Sequence, residues 1–149
     1  MKESFSYWEF QDTCGKIQSK FGGTRSIPAK PLEDFYCLKD KKSVLNLGAG
    51  KSNQLDFLEI PKIYTLDTDK NLNVDFFCFD DIPKDLKFDA VYASQVIEHI
   101  PKEELFFNIQ NIYNVLTDDG LVIATIPNVQ NWFKYIGDYD HKNPITFYQ

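Results

Sequence analysis

Short apolar segments alternate with polar or helix-like segments from residue 43 onward. The apolar segments are rich in β-branched and aromatic residues, and they are apolar enough to be buried on both faces, which is typical of parallel strands joined by crossovers. The pattern therefore predicts an α/β fold with a mostly parallel sheet. The five predicted strands are residues 43–47, 63–66, 74–79, 88–93 and 121–126.

The clearest predicted helix lies between the last two of these strands. Its apolar residues recur at spacings of four, three and four, so they share one face of a helix. Pro101 is a favourable residue at the start of a helix and Gly120 at its end. Another helix is predicted at residues 31–38. The residues of the apolar face are Leu105, Ile109, Ile112 and Leu116.

Length and composition are those of one globular domain. The chain has 149 residues, of which 43% are hydrophobic and 26% charged. We expect a single domain over residues 1–149. Residues 1–42 would form a helical and loop extension, residues 43–128 the core, and residues 129–149 a lid or a shortened substrate region.

The net charge and the cysteine content limit which cellular compartment and which binding partners we expect for the protein. With a net charge of -6, the chain has no general positive electrostatic field that could neutralise the phosphates of a nucleic acid. We therefore expect a small-molecule partner and no nucleic acid. No segment has the length or pattern of a membrane span or a secretion signal, which predicts no membrane contact and a cytoplasmic protein. Three widely spaced cysteines, Cys14, Cys37 and Cys78, are expected to be reduced, buried thiols.

The turn Gly48-Ala49-Gly50 directly follows the first predicted strand. Glycines allow a sharp turn and a close approach of the backbone to a ligand. A tight connection without a ligand would also use them. A phosphate-binding Walker loop is disfavoured by Leu45, and a dinucleotide fingerprint by Asn53, because both motifs need glycine at those positions.

Carboxylates follow the second and third predicted strands. Asp67, followed by Thr68, lies where a carboxylate can accept both hydroxyls of a ribose, although a turn or a helix cap would also use aspartate. Either Asp80 or Asp81 can accept a hydrogen bond from an adenine amino group, and the other is expected to stabilise the turn before Pro83. These residues favour a nucleoside ligand without phosphates.

Four segments together resemble the successive motifs of class I S-adenosylmethionine-dependent methyltransferases. They are VLNLGAG, YTLDTD, FDAVYASQVIEHIP and LTDDGLVIATIPN, within residues 43–128. The resemblance implies a Rossmann-like three-layer sandwich with S-adenosylmethionine lying across the carboxyl ends of the strands. The residues it implies at the cofactor are Asn46, Gly48, Ala49, Gly50, Asp67, Thr68, Asp80, Asp81, Ser94 and Gln95.

The chain departs from this family pattern at two places. Asn46 stands where the family commonly has an acidic residue at the methionine end of the cofactor, so we expect weaker binding of that end. The chain reaches Gln149 without the last helix and strands of the family sheet, which predicts a fragment or a shortened form. The fifth strand would then be an exposed edge through which the chain can form a homo-oligomer.

The pair Glu98-His99 follows the fourth predicted strand, where the reacting groups of the family gather. His99 can accept a proton from the methyl acceptor, whereas a purely structural role for both residues is an equal alternative. Some relatives hold a metal here with Glu-x-x-Glu-His, but Gln95 occupies the first position. Because no further ligand is evident from spacing, we expect no metal.

Two outlying segments are candidates for closing the site. An aromatic, partly charged segment, which includes Trp132 and Phe133 and continues to Tyr139-Asp140-His141, is predicted to form a lid or a partner surface over the mouth of the pocket. Arg25 is a candidate for binding the methionine carboxylate.

The sequence therefore predicts methyl transfer from S-adenosylmethionine to a small molecule. The alternative is a non-catalytic binding or assembly module of the same fold, and an NAD-binding domain is a weaker one.

Overall fold

The computed structural model describes residues 37–51, 55, 58–127 and 141–143. The chain divides into two units, Met1–Cys37 and Leu38–Gln149, and the elements below belong to the second. The helix predicted at residues 31–38 lies outside the described residues except for its last two, which are helical. The division of the chain at residues 42 and 128 stays a prediction.

Four parallel strands form one sheet, β1 (Ser43–Leu47), β2 (Lys62–Leu66), β3 (Phe88–Ser94) and β4 (Leu116–Thr125), in the order β2-β1-β3-β4. The first strand has the predicted bounds, and β2 and β3 differ from the prediction by one residue. β4 begins five residues earlier than predicted and continues directly from the preceding helix. The order places β1 and β3 in the centre, which confirms the predicted α/β, Rossmann-like class.

The third predicted strand, residues 74–79, is not a strand. It makes one parallel bridge, between Phe76 and Leu66. The physical reason lies beside it: the Asp75 carboxylate accepts hydrogen bonds from the backbone N–H and the hydroxyl of Thr65, both at 2.8 Å, and Thr65 Oγ1 accepts the N–H of Asp75 at 3.0 Å. Side chains thus replace part of the backbone ladder, and a short 3₁₀ turn, Phe79–Asp81, follows.

The helix α1 (Lys102–Val115) connects β3 to β4. It begins directly after Pro101, as predicted, but ends before Gly120. Ile112 and Val115 are its buried residues, whereas Ile109, predicted to face the core, is 51% exposed. The core contact of α1 is therefore confined to its last turns, because its earlier turns line a cavity described below.

The hydrophobic core joins the sheet to α1. Leu45 and Leu47 of β1 and Val91 and Ala93 of β3 belong to the same buried cluster as the last turns of α1. Such alternate residues point to one face of a sheet. Phe88 is fully buried in this cluster, a burial that contributes roughly 1.5–3 kcal/mol.

Two further properties bear on the predictions from composition. No helix among the described residues is long and apolar enough to cross a membrane. Cys37 and Cys78 are free thiols but both are exposed, so the prediction of buried thiols was wrong for them. Cys14 lies outside the described residues.

Candidate functional site

The turn after β1 is held by backbone hydrogen bonds from the neighbouring strand. The N–H groups of Gly48 and Ala49 both donate to the carbonyl oxygen of Leu66, at 2.8 and 3.2 Å. Gly48 and Gly50 have φ angles of 66° and 61°, which lie in the left-handed region that favours glycine. The turn itself therefore favours glycine at both positions.

The surroundings of the two glycines differ. A Cβ added to Gly48 would lie 2.4 Å from Cγ2 of Val96, whereas a Cβ at Gly50 would meet nothing within 4 Å. The turn is packed against the protein at Gly48 and open at Gly50. Ala49 is buried between them.

Asp67 fixes the turn from the end of β2. Its Oδ2 accepts the N–H of Gly50 at 2.9 Å, and its Oδ1 accepts the N–H of Asp69 at 3.0 Å. A carboxylate has about four acceptor positions, so each oxygen can accept one more hydrogen bond. Asp67 can therefore hold the turn and a ligand at the same time.

A cavity of about 420 Å³ opens beside this turn, within the range of roughly 300–1,000 Å³ that is usual for ligand pockets. It lies at the carboxyl end of the parallel strands, the edge at which open α/β sheets bind ligands. Five predicted site residues line it: Gly48, Asp67, Thr68, Asp80 and His99.

Asp80 and Asp81 lie in different environments. Oδ2 of Asp81 accepts the N–H groups of Phe77 and Cys78, at 3.0 and 3.1 Å. These hydrogen bonds, the one from Phe77 above all, lower the pKa of the Asp81 carboxyl. Asp80 lines the cavity instead. Asp81 is thus the residue that stabilises the turn, and Asp80 is the one available to a ligand.

Ser94 and Gln95 join the ends of two strands. Ser94 Oγ lies 3.1 Å from Thr125 Oγ1, and the side chain of Gln95 donates to the same oxygen at 3.1 Å. Gln95 has a φ of 57°, which is unusual for a residue with a side chain, and its N–H donates to the carbonyl oxygen of Thr125 at 2.9 Å. Neither residue lines the cavity, and their predicted contact with the cofactor stays a prediction.

Asn46 lies in the middle of β1, opposite Thr65 on one side and Tyr92 on the other. Its side chain is only 2% exposed, and it does not line the cavity. Its predicted contact with the methionine end of the cofactor also stays a prediction.

The pair Glu98-His99 lies on a short 3₁₀ turn, Ile97–His99, after β3. Glu98 is fully buried, whereas His99 is half-buried and lines the cavity. The two adjacent residues therefore have different surroundings. Only His99 is placed to touch a ligand in this cavity.

His141 lies beside this pair, with its ring centre 5.0 Å from that of His99. The N–H groups of Lys142 and Asn143 donate to the carbonyl oxygen of Glu98, at 2.7 and 3.0 Å, which fixes the segment 141–143 on the turn. The side chain of Asn143 donates to the carbonyl oxygen of Ile100. The sequence placed His141 in the predicted lid, but its spacing of 42 residues from His99 gave no sign that the two rings meet. The expectation of no metal rested on the lack of such a neighbour.

One face of α1 forms part of the cavity wall. Its residues follow a helical spacing of three, one and three, and they mix polar with aromatic side chains. Sequence reasoning missed them because it followed only the apolar stripe of Leu105, Ile109, Ile112 and Leu116. These residues are Glu104, Phe107, Asn108 and Asn111. Of the predicted lid, His141 is among the described residues, whereas Trp132 and Phe133 lie outside them, as does Arg25.

The sequence of this chain matches a known protein family. The sequence model of a family described as "Methyltransferase domain" matches residues 24–147. No curated protein matches the sequence.

Solved structures share the fold at low sequence identity. A SAM dependent methyltransferase from Archaeoglobus fulgidus is similar over 96% of this chain and 70% of its own, with a TM-score of 0.68 and 18% identity. The PH0226 protein from Pyrococcus horikoshii OT3 is similar over 89% of this chain and 61% of its own, with a TM-score of 0.59 and 17% identity. A DhpI-SAM-HEP complex is similar over 92% of this chain and 74% of its own, with a TM-score of 0.54 and 19% identity. The chain thus spans about 61% to 74% of the lengths of these three structures.

Proposed function

The chain belongs to the family of methyltransferase domains, and on that basis we propose that it transfers a methyl group from S-adenosylmethionine to a small-molecule acceptor. The observation that carries the proposal is the placement of Asp67 and Asp80 on one cavity beside the Gly48 turn. The structures with the same fold include a SAM dependent methyltransferase and a complex with SAM.

The cavity offers the hydrogen-bond acceptors that a nucleoside needs. The free acceptor positions of Asp67 suit the two ribose hydroxyls, and Asp80 suits the amino group of the adenine. Gly50, which is open on its Cβ side, lets a ligand approach the backbone closely. A nucleoside without phosphates fits this arrangement better than a nucleotide, because carboxylates repel phosphates.

A small acceptor fits the charge of the chain better than a nucleic acid. The net charge is -6, and a chain of this sign does not attract a polyanion. Methyl transfer requires mainly that the acceptor atom, the methyl carbon and the sulfur lie in line. The methyl passes from the sulfonium to the acceptor, and the cofactor leaves as the neutral thioether S-adenosylhomocysteine.

His99 is our candidate for the residue that accepts the proton of a hydroxyl or amine acceptor. It is half-buried at the cavity wall, and an imidazole nitrogen can accept a proton from a bound hydroxyl or amine. A variant His99→Ala that binds the cofactor normally and turns over an identified acceptor at the wild-type rate would refute this role.

Calorimetry tests the cofactor part of the proposal without knowledge of the acceptor. We expect S-adenosylmethionine and S-adenosylhomocysteine to bind, and NAD and ATP not to bind. Asp67→Ala should lower the affinity for S-adenosylhomocysteine about tenfold or more, a loss of about 1.4 kcal/mol.

A matched control is Asp89→Ala at the opposite end of the sheet. The Asp89 carboxylate accepts the N–H groups of Lys42 and Ser43, so its loss should lower stability but not affinity. Absence of binding by either sulfur nucleoside in a folded protein would overturn the proposal. A non-catalytic module of the same fold would bind them and methylate nothing in an acceptor screen.

A further inference from the structure

Both histidines of the chain and one buried glutamate lie together beside the cavity. Glu98, His99 and His141 can each offer one ligand atom, and these atoms all lie within 4.8 Å of one another. The sequence contains no other histidine. We propose that these three residues bind one divalent transition-metal ion of the zinc type.

The backbone brings the three residues together before any ion is bound. His141 is held next to the turn by the two hydrogen bonds that the N–H groups of Lys142 and Asn143 donate to Glu98. Asn143 is itself buried, and its side chain donates to the carbonyl oxygen of Ile100. An ion therefore need not order this part of the chain when it binds, which lowers the free-energy cost of binding.

The distances allow coordination after small side-chain rotations. Zinc binds imidazole nitrogen and carboxylate oxygen at about 2.0–2.2 Å, so ligand atoms around it lie roughly 3.4 Å apart. In the structure the three ligand atoms lie within 4.8 Å of one another. Rotation of the two imidazole rings can shorten these distances to the spacing that zinc requires. His99 and His141 already lie ring to ring, with centres 5.0 Å apart.

The ligand types select the ion. Imidazole nitrogens suit zinc, iron, copper and nickel, whereas magnesium and calcium prefer oxygen ligands. Two histidines and one carboxylate form a ligand set that leaves coordination positions open for water or a substrate. The site is therefore expected to bind Zn²⁺ or Co²⁺ and to discriminate against Mg²⁺.

Burial of Glu98 also favours a positive charge at this place. The side chain is fully buried, and an ionised carboxylate is stabilised in such a place by a cation. A metal ion coordinated by Glu98 would supply that charge.

The ion would lie at the cavity wall, since His99 lines that cavity. Its open coordination positions would face a ligand that occupies the cavity. A histidine nitrogen that binds a metal cannot accept a proton, so the ion-bound protein would not use His99 as the base. The proposal of a metal site does not rest on the proposal of methyl transfer.

The test uses metal-free protein without a histidine tag, titrated with Co²⁺ and followed by its visible absorption and by calorimetry. We expect one equivalent to bind, displaced by Zn²⁺ but not by excess Mg²⁺. His99→Ala and His141→Ala should each lower the affinity about tenfold or more, as expected for the loss of one ligand, and the double variant should not bind. Circular dichroism checks that each variant is folded.

Two controls separate this site from adventitious binding. Cysteines also bind zinc, and Cys78 lines the same cavity, so a variant with Cys14, Cys37 and Cys78 replaced by serine should keep its affinity. Because the chain has two histidines, both sets of imidazole NMR signals should shift with one equivalent of Zn²⁺.

Binding that survives in the double histidine variant, that disappears in the cysteine variant, or that never reaches one equivalent would overturn the proposal. Binding of S-adenosylhomocysteine is measured separately on the metal-free protein, so failure of the metal site and failure of the methyltransferase proposal are distinguishable.

Discussion

Gly48 and Val96 approach so closely that no side chain fits between them: a Cβ on Gly48 would lie 2.4 Å from Cγ2 of Val96. We predict that Gly48→Ala destabilises the protein through two effects. A left-handed backbone costs a residue with a Cβ about 1–2 kcal/mol, and overpacking costs a further 1–3 kcal/mol or so. Chemical denaturation measures the sum.

Gly50→Ala is the matched comparison, because Gly50 has a similar φ but open space around it. We expect this variant to lose only the backbone contribution of about 1–2 kcal/mol. Adding Val96→Ala to Gly48→Ala should restore part of the lost stability. Equal losses for the two glycine variants would contradict the packing argument.

Substitution of Asp80 should affect ligand binding, whereas substitution of its neighbour Asp81 should affect stability. Asp80→Ala removes a carboxylate from the cavity wall, and we expect it to weaken S-adenosylhomocysteine binding about tenfold, or about 1.4 kcal/mol, at an unchanged melting temperature. Asp81→Ala removes the acceptor of two backbone N–H groups and should lower the melting temperature. Calorimetric titration and thermal unfolding of both variants check this. If Asp81→Ala weakened binding and Asp80→Ala lowered the melting temperature, the assignment of the two roles would be wrong.

Asp81 should also contribute to the acid sensitivity of the fold. Its pKa is lowered from the ordinary value of 3.8, mainly by the hydrogen bond from Phe77, so the folded state favours the ionised carboxylate. This stabilisation is fully present above pH 3.8 and is lost as the pH falls through the lower, folded-state pKa.

The measurement is the melting temperature as a function of pH in wild type and Asp81→Asn. We expect the variant to be less stable at neutral pH and the difference to shrink below pH 3.8. Asp80→Asn, which removes the same charge one residue away, serves as the control. A difference between wild type and Asp81→Asn that does not depend on pH would show that the carboxylate is not responsible.

Thr125 should stabilise the connection between β3 and β4. Its hydroxyl lies 3.1 Å from Ser94 Oγ and also accepts from Gln95. We predict that Thr125→Val, which keeps the shape and removes the hydroxyl, costs about 0.5–1.5 kcal/mol, whereas Thr125→Ser keeps most of the stability. Urea unfolding compares the two, and similar losses would assign the effect to the methyl group.

The central strands could be predicted from the sequence because their signals are local. The apolar run that ends at Leu47 is enough to predict β1. The position of Asp67 directly after β2 is enough to predict its place at the site. The segment around Phe76 was assigned wrongly, since its apolar run looks like a strand. Its pairing is decided by Asp75, whose carboxylate contacts Thr65 ten residues earlier.

The parts of the site that escaped prediction depend on distant contacts. His141 reaches Glu98 and His99 through backbone hydrogen bonds from Lys142 and Asn143, and no periodicity records such a contact. The choice between Asp80 and Asp81 likewise depends on which carboxylate meets the N–H groups of Phe77 and Cys78. The sequence identified the pair but not the division of roles.

The contact between Thr65 and Asp75 has a consequence for how copies of this protein meet. A sheet edge with unpaired N–H and carbonyl groups is a template to which a strand of another molecule can add. On β2 the outward N–H of Thr65 is taken by the Asp75 carboxylate, and its carbonyl oxygen accepts the N–H of Phe76 at 3.0 Å. This end of the edge is thereby protected from intermolecular strand pairing by the Asp75 carboxylate and the Phe76 N–H rather than by a further strand among the described residues.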